Sequence, residues 1–280
     1  MKTDRLWSAT WTASCRLHGS HKEGKGLTLL NLAFLGLAAV AAGIVNALAG
    51  GGSLLTFPVL VAVGVPPLVA NVTNTVALCP GYVGATLAQA RDLHGQRGRM
   101  ALLCPVSILG GVVGAILLLT SGEGVFRAVV PFLILLASGL LAVQTPLRRW
   151  LARRGERSPS GIISERWAIL PVGLAAIYGG YFGAGLSVMV LAVLGLLLND
   201  TLTRANALKQ FIALSVNVAA AVFFVLSGHV LWLAALVMAI GALIGGAVGG
   251  RLAGHINPDV LRRIVVVVGV VVAVIYLQRL

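Results

Sequence analysis

The sequence predicts an all-α integral membrane protein: eight transmembrane helices plus two short re-entrant half-helices, built from two homologous repeats. Three observations carry that prediction. The 280-residue chain is 58% hydrophobic and only 10% charged, with a mean hydropathy of +0.97, whereas a soluble domain averages about 25% charged residues. Ten largely apolar stretches follow one another along the chain, several of them ended by glycine. The two sets of five echo each other at a shift of 135 residues. Ala70-Asn71-Val72-Thr73-Asn74 falls on Ala205-Asn206-Ala207-Leu208-Lys209, Gly110-Gly111-Val112-Val113-Gly114 on Gly245-Gly246-Ala247-Val248-Gly249, and Arg127 on Arg262. A duplicated unit with polar residues at matching depths is a common plan for a secondary transporter.

The apolar stretches are 27–49, 53–64, 68–90, 100–120 and 125–145, then 167–183, 186–198, 204–226, 231–253 and 260–279. A spanning helix needs about 20 apolar residues. Eight stretches approach that length. The other two, 53–64 and 186–198, do not, since 12 residues of helix cover only about 18 Å. Each short stretch follows a glycine cluster, Gly50-Gly51-Gly52 or Gly183-Ala184-Gly185. Glycine inside a helix costs about 1 kcal/mol relative to alanine, so a cluster opens backbone amides and carbonyls. Irregular backbone at membrane depth must face protein or a wet cavity. The clusters therefore either break helices around a ligand or let helices pack closely. For Gly110–Gly114 and Gly245–Gly249 the small-xxx-small spacing favours close packing.

The boundaries read as a basic N-terminal tail (1–26), a first membrane repeat (27–145), a cytoplasmic linker (146–166) and a second repeat (167–280). With both short stretches re-entrant, each repeat crosses four times and the repeats run parallel. That arrangement collects 15 of the 21 Lys and Arg on one side, with the N-terminal tail inside, as the positive-inside rule requires. If the short stretches cross, each repeat crosses five times, the repeats are inverted and the tail lies outside. The shortness of the two stretches favours the first arrangement.

The net charge of +13 sits in loops between apolar spans, with no basic stripe or aromatic platform, which argues against nucleic acid. The tail has no apolar core of signal-peptide length. It reads as a flexible or surface-lying arm, with Trp7 and Trp11 beside Arg5 and Arg16. Cys15, Cys79 and Cys104 form no CxxC pair, and the five histidines lack metal-ligand spacing. No cofactor is called for. No metal cluster, nucleophile set or carboxylate pair lies in the spans, so the chain does not read as an enzyme.

Residues 43–58 run Gly-Ile-Val-Asn-Ala-Leu-Ala-Gly-Gly-Gly-Ser-Leu-Leu-Thr-Phe-Pro, followed by Gly64-Val65-Pro66-Pro67 and Ala70-Asn71-Val72-Thr73-Asn74. In the second half, Gly179-Gly180-Tyr181-Phe182-Gly183-Ala184-Gly185 precedes Ala205–Lys209. This order resembles the sulfite exporter TauE/SafE family over about residues 27–280. The resemblance implies a multi-pass protein of a bacterial or archaeal inner membrane that carries small sulfur-containing anions such as sulfite or sulfonates. Leu186-Ser187 departs from the family pattern, where further glycine often follows.

Substrate contacts are expected from Gly50, Gly51, Gly52 and Ser53, from Asn71, Thr73 and Asn74, and from Gly183, Gly185, Asn206, Lys209 and Gln210. Unpaired amides at the glycine breaks suit an anion, as a half-helix N-terminus does. Lys209 is the only lysine after residue 25 and lies inside an apolar stretch. An ionised lysine there costs roughly 2.5–3.5 kcal/mol on insertion scales, and its three donors suit a sulfite or sulfonate oxygen. It aligns with Asn74, so the halves are expected to present an amide and an ammonium to one site. The competing reading has Lys209 snorkelling to the interface. Asn71 and Asn206 either contact ligand or cap their helices. No acidic residue falls in mid-span, which argues against a carboxylate proton relay. The expected partners are a small anion and the lipid bilayer.

Overall fold

The computed structural model describes residues 28–48, 51–155, 165–198, 200–251 and 258–278. The tail 1–26, Gly50 and residues 156–164 of the linker lie outside the described residues. The described chain is helical, in the order α1 (Leu29–Leu48), α2 (Ser53–Ala62), α3 (Pro67–Ala88), α4 (Arg97–Gly155), α5 (Ile169–Tyr181), α6 (Leu186–Leu197), α7 (Leu202–Ser227), α8 (Trp232–Arg251) and α9 (Pro258–Leu277). Short 3-10 turns cover Ala90–Leu93 and Glu165–Ala168. Helix α4 is two arms broken at Gly122, whose φ of 72° and ψ of 172° no helix contains. Among the described residues, five helices are long and apolar enough to cross a membrane. The exterior is apolar, with Leu29, Leu226, Trp167 and Leu170 all exposed; a lipid-facing surface needs no polar cover. The arm after Gly122 runs on to Gly155, so residues 146–155 are helix rather than exposed loop. Their Leu, Arg and Ala are strong helix formers.

Helix direction follows from the contacts. The Leu68 amide donates to Glu123 Oε2 at 3.2 Å and the Leu231 amide to Thr73 Oγ1 at 3.1 Å. The starts of α3 and α8 thus share one end of the bundle with Gly122. At the other end, Gln96 Nε2 donates to the Arg204 carbonyl at 3.1 Å and Arg204 Nη1 to the His94 carbonyl at 3.1 Å. The end of α3 and the start of α7 meet there, beside Gly95. Consequently α3 and α7 run antiparallel, and the parallel arrangement of the two halves is corrected.

The reason lies in the short helices. Helix α1 runs parallel to α8, with Gly36 beside Val237 and Gly241 and with Gly43 beside Gly246, so it starts at the Gly122 end. Helix α2 leads back to that end through residues 63–66. Helix α5 likewise runs parallel to the first arm of α4, with Gly173 beside Val106 and Ala176 beside Gly110, and α6 returns to the Gly95 end. At 10 and 12 residues, about 15 and 18 Å, neither α2 nor α6 spans the bilayer. Each pairs with the helix before it as a hairpin that leads back to the end of the bundle where that helix began. Three further passes per half remain, an odd number, and the direction inverts. Arg91, Arg97, Arg99, Arg149, Arg204 and Arg262 cluster toward the Gly95 end, whereas Arg127 follows Gly122.

Small residues set the closest helix contacts. A Cβ on Gly241 would meet the Gly36 carbonyl oxygen at 2.7 Å, and one on Gly111 the Val216 carbonyl oxygen at 2.7 Å. Gly245 and Gly114 face Val40 and Ile177 backbone in the same manner. Without a hydrophobic drive between helices in lipid, such backbone approach supplies packing energy.

Candidate functional site: two glycine breaks that meet

The hairpin turns bring the two glycine clusters to one place. Gly51, Ser53, Tyr82, Leu141, Gly183, Ala184, Gly185, Ser187 and Val188 line a single cavity of about 10 Å³, room for about one water. Left-handed backbone at Gly51 (φ 96°), Gly183 (φ 79°) and Gly185 (φ 84°) makes the turns possible; a non-glycine residue there costs about 1–2 kcal/mol. Gly52 serves packing instead, since its Cβ would lie 2.6 Å from the Ala42 carbonyl oxygen. The second arm of α4 passes both breaks, with Leu141 against Gly51 and Ala137 against Gly185. The first turns of α2 and α6 both start at this cavity, so two positive helix ends converge on it.

Helix α3 carries Asn71, Thr73 and Asn74, none of which is among the residues lining this cavity. Asn71 Nδ2 donates to the Tyr181 carbonyl at 2.9 Å, just before the second break. Asn71 is 1% exposed, and its Oδ1 has no partner among the described residues. Asn74 Oδ1 accepts from Thr56 Oγ1 at 2.5 Å, which ties α2 to α3. Thr73 faces elsewhere and accepts from the Leu231 amide at the Gly122 end. Tyr178 donates to the Ala184 carbonyl at 2.7 Å and shapes the second break.

The second-half polar residues gather apart from the breaks. Lys209 Nζ donates to Asn206 Oδ1 at 2.9 Å, and Asn206 Nδ2 donates to Gln89 Oε1 at 2.7 Å. This row joins α7 to the end of α3. Lys209 is 6% exposed, so it is buried and does not snorkel to solvent. The N-cap of α7 is Thr201, whose side chain accepts from the Arg204 amide, so Asn206 lies inside the helix rather than at its cap. Gln210 is buried, and its carbonyl lies 3.5 Å from Thr86 Oγ1. Asn74 and Lys209 do not share one site: in antiparallel helices, equal depth from the helix start means opposite sides of the middle.

Three features were not anticipated from sequence. Tyr82 lines the break cavity. On the Gly122 side of the breaks, Phe57 packs edge-to-face with both Phe126 and Phe182, with Phe57 and Phe182 centroids 5.5 Å apart, and Phe126 is tilted against Phe182. All three are buried. A larger cavity of about 460 Å³ lies between α1, α3 and α8, lined by Gly43, Asn46, Leu78, Gly81, Gly84 and Gln89 among others.

The sulfite exporter TauE/SafE family model matches residues 35–276. A Sinorhizobium protein named probable membrane transporter protein ORF9 is 30% identical over 243 residues, 87% of this chain and 91% of that protein. The probable membrane transporter protein YfcA of Escherichia coli K12 is 28% identical over 213 residues, 76% of this chain and 77% of its own. A Haemophilus influenzae protein, also named a probable membrane transporter, is 30% identical over 214 residues, 76% of this chain and 81% of that one. No solved structure matches the chain. With an all-helical bundle, apolar outer surface and paired broken helices, this chain belongs to the sulfite exporter TauE/SafE family of membrane transporters.

Proposed function

We propose that the protein is a secondary transporter that carries a small sulfur-containing anion, sulfite or a sulfonate, across an inner membrane, and that its anion site is the meeting point of the two glycine breaks. The convergence of two half-helix starts on one cavity carries this reading. Backbone amides and helix dipoles there favour negative charge, and Ser53 and Ser187 add hydroxyl donors. The cavity holds about one water, so an anion enters only when the halves move apart. The duplication supports such rocking: α3 and α7 begin 135 residues apart at Pro67 and Leu202, and α4 and α8 at Arg97 and Trp232. Arginines at the Gly95 end favour that end as cytoplasmic. Lys209 acts from the cytoplasmic half, through the row Lys209–Asn206–Gln89, by raising the potential that an approaching anion meets.

The test is sulfite and organosulfonate flux into proteoliposomes, with the intact protein beside Lys209→Ala and Ser53→Ala. Flux in the intact protein that falls in both variants supports the reading. Flux of neither anion, against a positive result with another organic anion, replaces the substrate class and keeps the site. Equal flux in all three proteins moves the site away from the breaks.

A further inference from the structure

The 460 Å³ cavity between α1, α3 and α8 has no part in the break cavity, yet the two share walls. On α1, Gly43 lines the large cavity while its neighbour Ala42 packs on Gly52 of the first break. On α3, Leu78 lines the large cavity and Tyr82, one turn on, lines the break cavity. The large cavity continues along α3 through Gly81, Gly84 and Ala85 to Gln89, at the Gly95 end.

Its glycines differ from those at the closest helix contacts. Gly43 is required by packing, because a Cβ would press on the backbone of Ala242 and Gly246. At Gly81, Gly84 and Gly246 a Cβ would meet nothing within 4 Å. Gly81 and Gly84 each cost helix stability of about 1 kcal/mol relative to alanine, with no close contact at the Cβ position to explain it. What these glycines preserve is open space. The space ends at Gln89, which accepts from Asn206, which in turn accepts from Lys209. A buried ammonium stands two hydrogen bonds from the cavity wall, and Arg91, Arg97 and Arg204 lie toward the same end. On the Gly122 side of the breaks, Phe57, Phe126 and Phe182 are buried and packed against one another.

We propose that this cavity is a water-filled passage by which the anion reaches the breaks from the Gly95 end, and that Gly81 and Gly84 set its width. This rests on the transporter reading above. The passage suits an anion with a short carbon body as well as a bare oxyanion, because its middle is walled by glycine, alanine and leucine and its mouth is polar. Substitution at Gly84 by a larger side chain therefore discriminates by size: Gly84→Leu lowers flux of a bulky sulfonate more than that of sulfite.

The experiment is thiol labelling in proteoliposomes, with Cys15, Cys79 and Cys104 replaced by alanine and with single cysteines at Gly81, Gly84 and Gly139. Gly139 serves as control: it is exposed on the second arm of α4, away from the cavity, and a Cβ there also meets nothing within 4 Å. The probe is the membrane-impermeant anion 2-sulfonatoethyl methanethiosulfonate, which forms a mixed disulfide with the thiolate and releases methanesulfinate. Labelling is read by mass shift, so it needs no transported substrate. A charged reagent enters hydrocarbon poorly, so G81C and G84C are expected to label about tenfold or more faster than G139C, and from one side of the membrane only. Labelling at the G139C rate shows a lipid-filled cavity and overturns the passage. Fast labelling of G84C that leaves flux unchanged shows a wet cavity off the route and also overturns it. Absence of flux in the unlabelled parent counts against the proposed function alone, and the labelling pattern still decides the passage.

Discussion

Asn71 and Tyr181, 110 residues apart, join the two halves at the glycine breaks: the Asn71 amide donates to the Tyr181 carbonyl at 2.9 Å, while Asn71 Oδ1 has no partner among the described residues. A buried acceptor without a partner costs about 1–3 kcal/mol. Asn71→Asp keeps the size, removes the donor to Tyr181 and adds a negative charge near the proposed anion site. Flux in proteoliposomes is expected to fall about tenfold or more, which is about 1.4 kcal/mol or more of lost stabilisation. Unchanged flux in a protein that elutes normally from a sizing column removes Asn71 from the site.

Glycines at the breaks and along α3 are expected to respond with opposite sign. Gly185 has φ 84°, and a Cβ there would lie 3.3 Å from Ala137 Cα. Gly185→Ala is expected to destabilise by about 1–2 kcal/mol from the left-handed backbone. Gly84→Ala fills open space in a helix and is expected to stabilise by up to about 1 kcal/mol. Thermal unfolding of the two variants in the same detergent gives the comparison, and equal shifts count against the distinction.

Gly111 lies where α4 crosses α7, with a Cβ position 2.7 Å from the Val216 carbonyl oxygen. Backbone cannot give way as a side-chain end does. Gly111→Ala is expected to cost about 1–3 kcal/mol, the usual range for overpacking. Val216→Ala is not expected to rescue it, since the obstacle is main chain; rescue measured by thermal unfolding argues for a side-chain clash instead.

Asp200, in the turn between α6 and α7, pairs with Arg99 at the start of α4 and with Arg204 at 2.9 Å. Burial pushes its carboxyl up, but hydrogen bonds from Arg204, the Thr201 amide and Arg99 outweigh that and hold it below its ordinary value. A carboxylate depressed on folding contributes stability above its unfolded pKa, and loses it as pH falls through the folded one. The link between α4 and the second hairpin is therefore intact at neutral pH and lost only in acid below the usual aspartate range. Asp200→Asn is expected to lower the unfolding temperature at neutral pH and to leave it unchanged once acid has protonated Asp200 in the parent. A pH-independent difference argues against the ion pairs.

Helix positions were legible in the sequence because apolar run length and glycine interruption are local. The breaks at Gly51 and Gly183–Gly185, the turn at Gly122 and the shortness of α2 and α6 all follow from neighbours in the chain. So did the packing role of Gly111, Gly114 and Gly245, since small-xxx-small spacing is itself local. Direction was not legible: residue lengths count crossings, but only the contact of α1 with α8 and of α5 with α4 shows that each short helix returns to the end it left. That one parity places Asn74 and Lys209 on opposite sides of the middle, although they occupy equal positions in the two halves. Composition and spacing by themselves determined a membrane bundle with two broken helices. The tertiary structure decided that the breaks meet, that Lys209 stands apart from them beside Gln89, and that open space lies along Gly81 and Gly84. The physical reason is that a helix's length is written in its own residues, while its direction and neighbours depend on backbone contacts between segments far apart in the chain.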